Sequence, residues 1–257
     1  MSGTAPSLGW LGILRLGLVQ TSLGAIVVLT TAALNRVMVI EHALPAMIPG
    51  ALVGLHYAVQ MMRPRMGHGS DQGGRRTPWI IGGMAVLAAG GILAAVATAW
   101  MGTALIPGLL LAVLAFLLIG LGVGAAGTSL LVLLAARVAP SRKPAAASIV
   151  WIMMIAGFVV TTATTGRLLD PYSGERLVAV TAGVALIAMV VSMLAVAGIE
   201  GRAPARVADA PARTPFGVAL REVWAEPVAR HFTIFVFVSM LAYSAQDLIL
   251  EPFAGAV

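Results

Sequence analysis

Seven long apolar runs, separated by short polar breaks, constrain the fold of this chain more than any other feature of its sequence. They lie near 11–35, 45–64, 77–100, 104–136, 145–169, 177–199 and 231–252. A helix needs about 20 apolar residues to cross a bilayer, and these runs have that length. They are continuous and lack the alternation of membrane β-strands. The sequence therefore predicts an all-α integral membrane protein with about seven transmembrane helices.

Charged residues are too few for a soluble protein. They make up 10% of the chain, against 60% hydrophobic residues, so they could not cover a soluble domain of this size. Apart from Arg15, twelve Lys and Arg residues fall in one set of alternate connections and three in the other. An excess of Lys and Arg marks the cytoplasmic side, so the N-terminus is expected there. Charge dispersed in this way gives no reason to expect a nucleic-acid partner.

The breaks divide the chain into three parts. Residues 1–199 contain six runs and are predicted to form a six-helix transmembrane bundle. Residues 200–230 are rich in Ala, Pro and Arg, as expected of a cytoplasmic linker. The second part of this linker, 215–230, fits either a helix lying at the membrane surface or an extension of the next span. Residues 231–257 then read as the first helix of an incomplete second half, so we expect a chain truncated from about twelve spans.

A short polar connection joins the second and third runs. It contains Gly67, Asp71, Gly74, Arg75 and Arg76. Its glycines permit a tight turn, and Asp71 can cap N–H groups at the start of the next helix. The two arginines are expected to hold the connection at the cytoplasmic face of the membrane.

The spacing in this connection resembles the signature loop of the major facilitator superfamily. The matching pattern is Gly67-x3-Asp71-x2-Gly74-Arg75-Arg76. Gln72 departs from it, since the superfamily usually carries a basic residue there. The resemblance implies a bundle of two six-helix halves, in which this loop follows the second helix. It also implies that Asp71 interacts with a helix of the second half and helps to set alternating access; that partner would lie beyond the end of this sequence.

Several longer strings are similar to the PucC/LhaA family of that superfamily. They are LNRVMVIE at 34–41, LHYAVQ at 55–60, RRTP at 75–78, REVWAEP at 221–227 and QDLILEPFAG at 246–255. The resemblance implies assembly of bacterial light-harvesting antennae and delivery of bacteriochlorophyll to their subunits. It further implies antenna subunits or the reaction centre as partners, within the lipid bilayer of the bacterial inner, intracytoplasmic photosynthetic membrane.

His56 lies in the middle of the second run, and Gln60 follows one turn later on the same helical face. Ionisable groups inside a span cost at least about 2.5 kcal/mol on insertion scales, so each one needs a reason. A neutral imidazole is a good metal ligand, which makes His56 a candidate axial ligand for the magnesium of bacteriochlorophyll, with Gln60 beside it. The alternative is a histidine hydrogen-bonded to a neighbouring helix or to cavity water.

Two further polar clusters flank predicted spans. They are Asn35, Arg36 and Glu41 at the exit of the first run, and Gln246, Asp247 and Glu251 near the end of the seventh. The first cluster has two interpretations: an Arg36–Glu41 ion pair, or contact with a partner protein. In the second, Asp247 and Glu251 are four residues apart and share a helical face. They lie either inside the bilayer, where one must be paired or protonated, or in solvent beyond the end of the span.

Glycines are concentrated in the fourth run, at Gly120, Gly122, Gly124 and Gly127. Small residues let membrane helices approach one another closely. The fourth helix is therefore expected to pack tightly against its neighbours.

Two functions remain open from the sequence. One is an assembly factor that docks antenna polypeptides and handles bacteriochlorophyll, as the family resemblance implies. The other is a facilitator that transports a small organic solute through a central cavity, as the fold alone would allow. The sequence contains no zinc motif, phosphate-binding glycine loop or nucleophile elbow, so an enzyme is not expected.

Overall fold

The computed structural model describes residues 7–72, 74–201 and 215–239, and within these ranges the chain is helical, with short connections and no strand. The helices are α1 Trp10–Glu41, α2 Met47–Val59, α3 Arg63–Gln72, α4 Thr77–Met101, α5 Leu105–Arg137, α6 Lys143–Leu168, α7 Gly174–Val196, α8 Phe216–Ala225 and α9 Pro227–Ser239. Five of these described helices, α1 and α4 to α7, are long and apolar enough to cross a membrane. The predicted all-α membrane bundle is therefore confirmed.

The first helix extends to Glu41, beyond its predicted end near 35. It is α-helical over Trp10–Val28 and contains two π-helical segments, Leu29–Ala33 and Val37–Glu41, on either side of one α-helical turn. The hydroxyls of Thr30 and Thr31 donate to the Val27 carbonyl, at 2.9 and 2.8 Å, where the first π segment begins. Such bonds compete with the helical hydrogen-bond ladder, and π turns occur frequently at functional sites.

The second predicted span, 45–64, changes geometry and continues past its predicted end. A 3₁₀ turn, Gln60–Met62, joins α2 to α3. Gly67 lies inside α3, so its prediction as a turn residue is wrong. A single glycine costs a helix only about 1 kcal/mol, which is too little to end it here. Gly74 does have the left-handed backbone expected of a tight turn, with a φ of +70°.

Glycines set the distance between α4 and α5. A Cβ atom at Gly122 would lie 2.5 Å from the backbone nitrogen of Leu87. A Cβ atom at Gly83 would lie 2.5 Å from the backbone nitrogen of Ala126. Since real Cβ atoms do not approach backbone so closely, the two helices can meet at this distance only with glycine at both positions.

Two other glycines of α5 face α2 and α3. A Cβ atom at Gly120 would lie 2.8 Å from the carbonyl oxygen of His56, and one at Gly124 would lie 2.8 Å from the sulfur of Met66. A Cβ atom at Gly127 would make only an ordinary van der Waals contact. The predicted close packing of the fourth span is confirmed at Gly120, Gly122 and Gly124.

The remaining packing leaves two helices poorly covered. In the described bundle, α1 packs against α6 and α7, α4 against α5 and α7, and α2 against α5. The core includes the buried side chains Ile26, Met84, Leu87, Phe116 and Ile119. Only 17% of the most apolar stretch of α6 and 28% of that of α7 are buried, against 56% in α4. The described residues of the bundle therefore leave the outward faces of α6 and α7 uncovered.

The chain divides into two units, Met1–Ala205 and Arg206–Val257, and the structure describes the second over 215–239. Within it, α8 ends before Glu226, whose backbone is extended, and α9 follows. The helix expected within 215–230 is thus a separate short helix and not a continuous extension of the next span. Its position at a membrane surface stays a prediction. The seventh span is described only as far as α9, and residues 202–214 of the linker also lie outside the described ranges.

Candidate functional site

The second helix buries its histidine inside the bundle. His56 is 1% exposed and lies one turn after Leu52, a core residue. Gly120 of α5 leaves room for the His56 carbonyl, so α2 and α5 meet closely at this level. Because buried polar groups need hydrogen-bond partners, the contacts of the imidazole decide what His56 can do.

His56 and Gln60, predicted to share a helical face, are in direct contact. Nε2 of His56 lies 2.8 Å from Nε2 of Gln60. Oε1 of Gln60 in turn accepts a hydrogen bond from Nη2 of Arg63. Nδ1 of His56 is buried and has no hydrogen-bond partner within the part of the chain that the structure describes. The site thus contains a third residue, Arg63, which the sequence indicated only as a charge that sets topology.

This arrangement does not fit axial ligation of a pigment magnesium. Such a ligand needs a nitrogen lone pair with an open approach for the ring of the pigment. The Nε2 atom of His56 is engaged by Gln60, and the whole side chain is enclosed. Ligation by His56 would require Gln60 to turn away and neighbouring helices to separate, so it stays a prediction without geometric support.

A second polar region lies where α1 ends in its π-helical turns. A cavity of about 340 Å³ opens there, and its lining includes Arg36, Glu41, Asp170 and Tyr172. The predicted Arg36–Glu41 ion pair is not formed in this described region. Both side chains are exposed, where such a pair contributes only about 0–1 kcal/mol. Asn35 lies outside the lining, and its buried Oδ1 has no partner among the described residues.

Next to this cavity, a tyrosine and a histidine tie three parts of the bundle together. The hydroxyl of Tyr172 lies 3.3 Å from Nε2 of His42, which lies 2.9 Å from the carbonyl oxygen of Thr98. Burial raises the pKa of Tyr172, and the negative charge of Glu41 raises it further. The connection from α6 to α7 is thereby fixed to the ends of α1 and α4.

The signature connection holds its charged residues differently from the prediction. Asp71 lies in the last turn of α3, and its Oδ1 accepts a hydrogen bond from Nη2 of Arg76 at 2.6 Å. Asp71 therefore does not cap α4, and that prediction is wrong. Because α3 continues to Gln72, the Asp71 carboxylate binds the arginine and not the backbone N–H groups of α4.

The residue that caps α4 is Glu200, which follows α7. Its Oε1 accepts from the Arg76 backbone N–H at 2.8 Å, and its Oε2 accepts from the Thr77 N–H at 2.6 Å. Burial by itself raises the pKa of Glu200, but hydrogen bonds from Thr77 and Arg76 and the charge of Arg75 outweigh it, so the pKa is lowered. The carboxylate is therefore held in its charged form at the start of α4.

Further contacts gather basic residues at this end of the bundle. Arg137 Nη1 donates to the backbone carbonyl of Glu200 at 3.4 Å. Arg15 donates to the carbonyl oxygens of Leu194 and Ala197, at the end of α7. The start of α1 and the ends of α5 and α7 therefore lie on the same side as the signature connection. Gln246, Asp247 and Glu251 lie outside the described residues.

The arrangement of helices defines a known class of membrane protein. It matches a crystal structure of the peptide transporter POT in complex with alafosfalin, with a TM-score of 0.61 at 20% sequence identity. The match covers 92% of this chain and 50% of that chain. The chain is thus a multi-pass membrane protein with a major-facilitator-type bundle, as predicted. A likeness at this identity defines the fold and not the activity.

Within that class, the chain belongs to the PUCC protein family, whose model matches residues 33–257. It is 58% identical to the "Bacteriochlorophyll synthase 44.5 kDa chain" of Rhodobacter capsulatus, over 98% of this chain and 58% of that protein. It is 30% identical to "Protein PucC" of Cereibacter sphaeroides, over 95% of this chain and 56% of that protein. The chain therefore spans little more than half the length of these relatives. The family resemblance in the sequence is confirmed.

Proposed function

We propose that the chain belongs to an assembly factor of the photosynthetic membrane. It docks light-harvesting antenna or reaction-centre polypeptides within the bilayer, and it holds or delivers bacteriochlorophyll. The proposal is carried by membership of the PUCC family across residues 33–257. It is supported by 58% identity to a relative whose name refers to bacteriochlorophyll.

Two exposed apolar stripes offer a surface for docking. On α6, Trp151, Ile155 and Val159 are 52%, 54% and 63% exposed. Their spacing of four residues puts them on one helical face. Leu186 and Leu194 form a similar stripe on α7, at 60% and 70% exposed. A polypeptide that crosses the membrane once would present apolar side chains to these stripes, as lipid does.

A groove beside these stripes is the place that we propose for the apolar part of the pigment. It has a volume of about 670 Å³ and lies between α1, α6 and α7. Leu18, Val160, Val180 and Ile187 contribute apolar walls, and Gly183 keeps part of the floor free of side chains. Bacteriochlorophyll supplies a large apolar ring and a hydrocarbon tail when it is bound, and such surfaces favour an apolar groove over water.

We further propose a role that involves no covalent chemistry. The word "synthase" belongs to the name of one relative. The fold match is to a transporter, and a bundle of this kind accommodates binding and conformational change. In this proposal the chain brings pigment and polypeptide together, and the reactions that make the pigment occur elsewhere.

Co-purification from a photosynthetic bacterium tests the proposal. The tagged chain, extracted in mild detergent, should carry far-red absorbance and antenna or reaction-centre polypeptides identifiable by mass spectrometry. Interrupting the two stripes by Ile155→Asn and Leu186→Asn should reduce the recovered polypeptides several-fold. Leu110→Asn is the matched control, because Leu110 is 68% exposed on α5, outside the stripes.

Two other results would count against the proposal. An intact, folded chain that carries neither pigment nor photosynthetic polypeptides would contradict the assembly role. If the same protein then gave saturable uptake of a small organic solute in vesicles, the transporter alternative would replace it.

A further inference from the structure

Three side chains form a hydrogen-bonded chain that the proposed function does not use: one on α2, one on the 3₁₀ turn after it and one at the start of α3. It leads from the buried imidazole of His56, through the amide of Gln60, to the guanidinium of Arg63. His56 is enclosed, whereas Arg63 is exposed near the polar end of the apolar run. The chain of hydrogen bonds therefore connects the interior of the bundle with the surface.

The guanidinium fixes the orientation of the Gln60 amide. Arginine carries five N–H donors and no acceptor, so the atom that faces Arg63 must be the amide oxygen. The NH₂ group of Gln60 then points the other way, toward Nε2 of His56, 2.8 Å away. Arg63 thus determines which amide atom faces His56, and it does so through Gln60 and not by a direct hydrogen bond to His56.

The amide orientation in turn fixes the tautomer of His56. An NH₂ group needs an acceptor, so Nε2 of His56 must present its lone pair. The proton of the neutral ring then sits on Nδ1. The Nε2–H tautomer, or an imidazolium, would place an N–H donor against the NH₂ group of Gln60.

The protonated nitrogen is left without an acceptor. Nδ1 of His56 is buried and has no partner within the described residues. Native proteins rarely leave a buried polar group unpaired. The side chain therefore offers a hydrogen-bond donor, inside the bundle, to a group that the described residues do not supply there.

We propose that Arg63 and Gln60 are positioning residues that hold His56 as the Nδ1–H tautomer, and that this N–H donates to an oxygen of a bound molecule. The acceptor is a bound water, because the enclosure of the side chain that keeps a pigment from Nε2 also keeps one from Nδ1. The arrangement withholds Nε2 from a metal. Neither the tautomer nor the water rests on the proposed function.

Nitrogen-15 NMR of the detergent-solubilised chain, labelled at histidine, tests the tautomer. The signal lost in His56→Asn identifies His56 among the four histidines. We expect it to show a protonated Nδ1 and an unprotonated Nε2. Gln60→Glu should remove this pattern and give a protonated Nε2, because a carboxylate only accepts.

The positioning role of Arg63 has its own variants. Arg63→Met should release the tautomer into a mixture, and Arg63→Lys should restore the Nδ1–H form, since lysine also donates to the amide oxygen. Gln72→Glu is a matched control, because Gln72 contacts His68 at the same four-residue spacing, and it should leave the His56 signal unchanged. A wild-type His56 protonated at Nε2, or a pattern unaffected by Gln60→Glu, would overturn the proposal.

The acceptor is identified by comparing the chain with and without bacteriochlorophyll. A water acceptor gives exchange between the Nδ1 proton and solvent in both samples. Loss of that exchange only in the loaded sample would contradict the water acceptor. If no pigment binds at all, the proposed function fails while the tautomer measurement stands.

Discussion

The carboxylate of Glu200, which follows α7, caps the start of α4. The first N–H groups of a helix have no partner within it, and Glu200 accepts from those of Arg76 and Thr77. Its negative charge also interacts favourably with the positive end of the helix dipole. Because Asp71 is paired with Arg76, this distant side chain takes the place of a local cap.

Replacing Glu200 by Gln should destabilise the bundle by about 1 kcal/mol, the usual effect of losing a helix cap. The pKa of Glu200 is lowered in the folded state. The stabilisation is therefore complete above the pKa of an unfolded glutamate and is lost as the pH falls through the folded-state pKa. Thermal unfolding in detergent, followed from about pH 7 downward, should show less pH dependence in Glu200→Gln than in the wild type.

Glu222→Gln is the matched control for that measurement, since Glu222 is an exposed glutamate on α8. It should leave the unfolding temperature and its pH dependence unchanged. Equal curves for Glu200→Gln and the wild type would show that the capping bonds contribute nothing to stability.

Individual site residues are predictable only where their partners are close in sequence. The His56–Gln60 contact follows from a spacing of four on a helix, and the structure contains it. Glu200 lies 124 residues from Arg76, and no local pattern connects them. Asp71 is the natural candidate for a cap, and it fails because the length of α3 depends on the weak helix-breaking effect of isolated glycines.

At the scale of elements, helix pairs are held at distances that only glycine allows. Gly122 of α5 lies against the backbone of α4, while Gly183 of α7 faces open space. Within a bilayer, such close approach is a main source of helix association, since burying apolar surface away from lipid gains little. Gly122 therefore allows α4 and α5 to pack closely, whereas Gly183 makes no such helix contact.

Gly122→Ala should destabilise the bundle by about 1–3 kcal/mol, because the added methyl group would lie 2.5 Å from the Leu87 nitrogen. Gly183→Ala is its matched control, and it should be neutral or stabilising by up to about 1 kcal/mol through helix propensity. Unfolding of both variants by a denaturant in the same detergent checks the difference. Equal stabilities would contradict the packing argument.

The existence of the helices is predictable from the sequence, but their internal geometry is not. Apolar runs of membrane length identify α1 and α4 to α7, because satisfying backbone groups in lipid requires helices. The two π segments of α1 cannot be recognised from composition, since a π turn differs from an α turn only in which carbonyl oxygen accepts each N–H. The continuation of the second helix through α3 is also not predictable from the apolar runs, because α3 is helical although its residues are polar.

At the scale of the whole molecule, the two ends of the described bundle differ in charge. One end gathers Arg15, Arg76 and Arg137 around Glu200 and the carbonyl groups that end α7. The other end holds the cavity, where Arg36 lies with Glu41 and Asp170, so that opposite charges are mixed. We propose that the basic end is cytoplasmic, in the inner membrane, as the excess of Lys and Arg predicts.

Single-cysteine labelling tests this orientation, and the chain is suited to it because it has no native cysteine. Ser141→Cys lies in the exposed connection between α5 and α6, and Thr103→Cys in the exposed connection between α4 and α5. In intact cells, a membrane-impermeant maleimide should label the Thr103→Cys variant and not the Ser141→Cys variant. Both should react in opened membranes, and labelling of Ser141→Cys alone in intact cells would reverse the orientation.

The π-helical turns of α1 also determine where this helix tolerates a change of length. A π turn contains one residue more than an α turn, since its hydrogen bonds skip one residue further along the chain. Removing one residue from Leu29–Ala33 or from Val37–Glu41 would let that turn become α-helical, with little rotation of the residues after it. The same deletion in Trp10–Val28 would turn every later side chain of the helix by about 100°. Single-residue deletions are therefore best accommodated at the end of α1 beside the polar cavity.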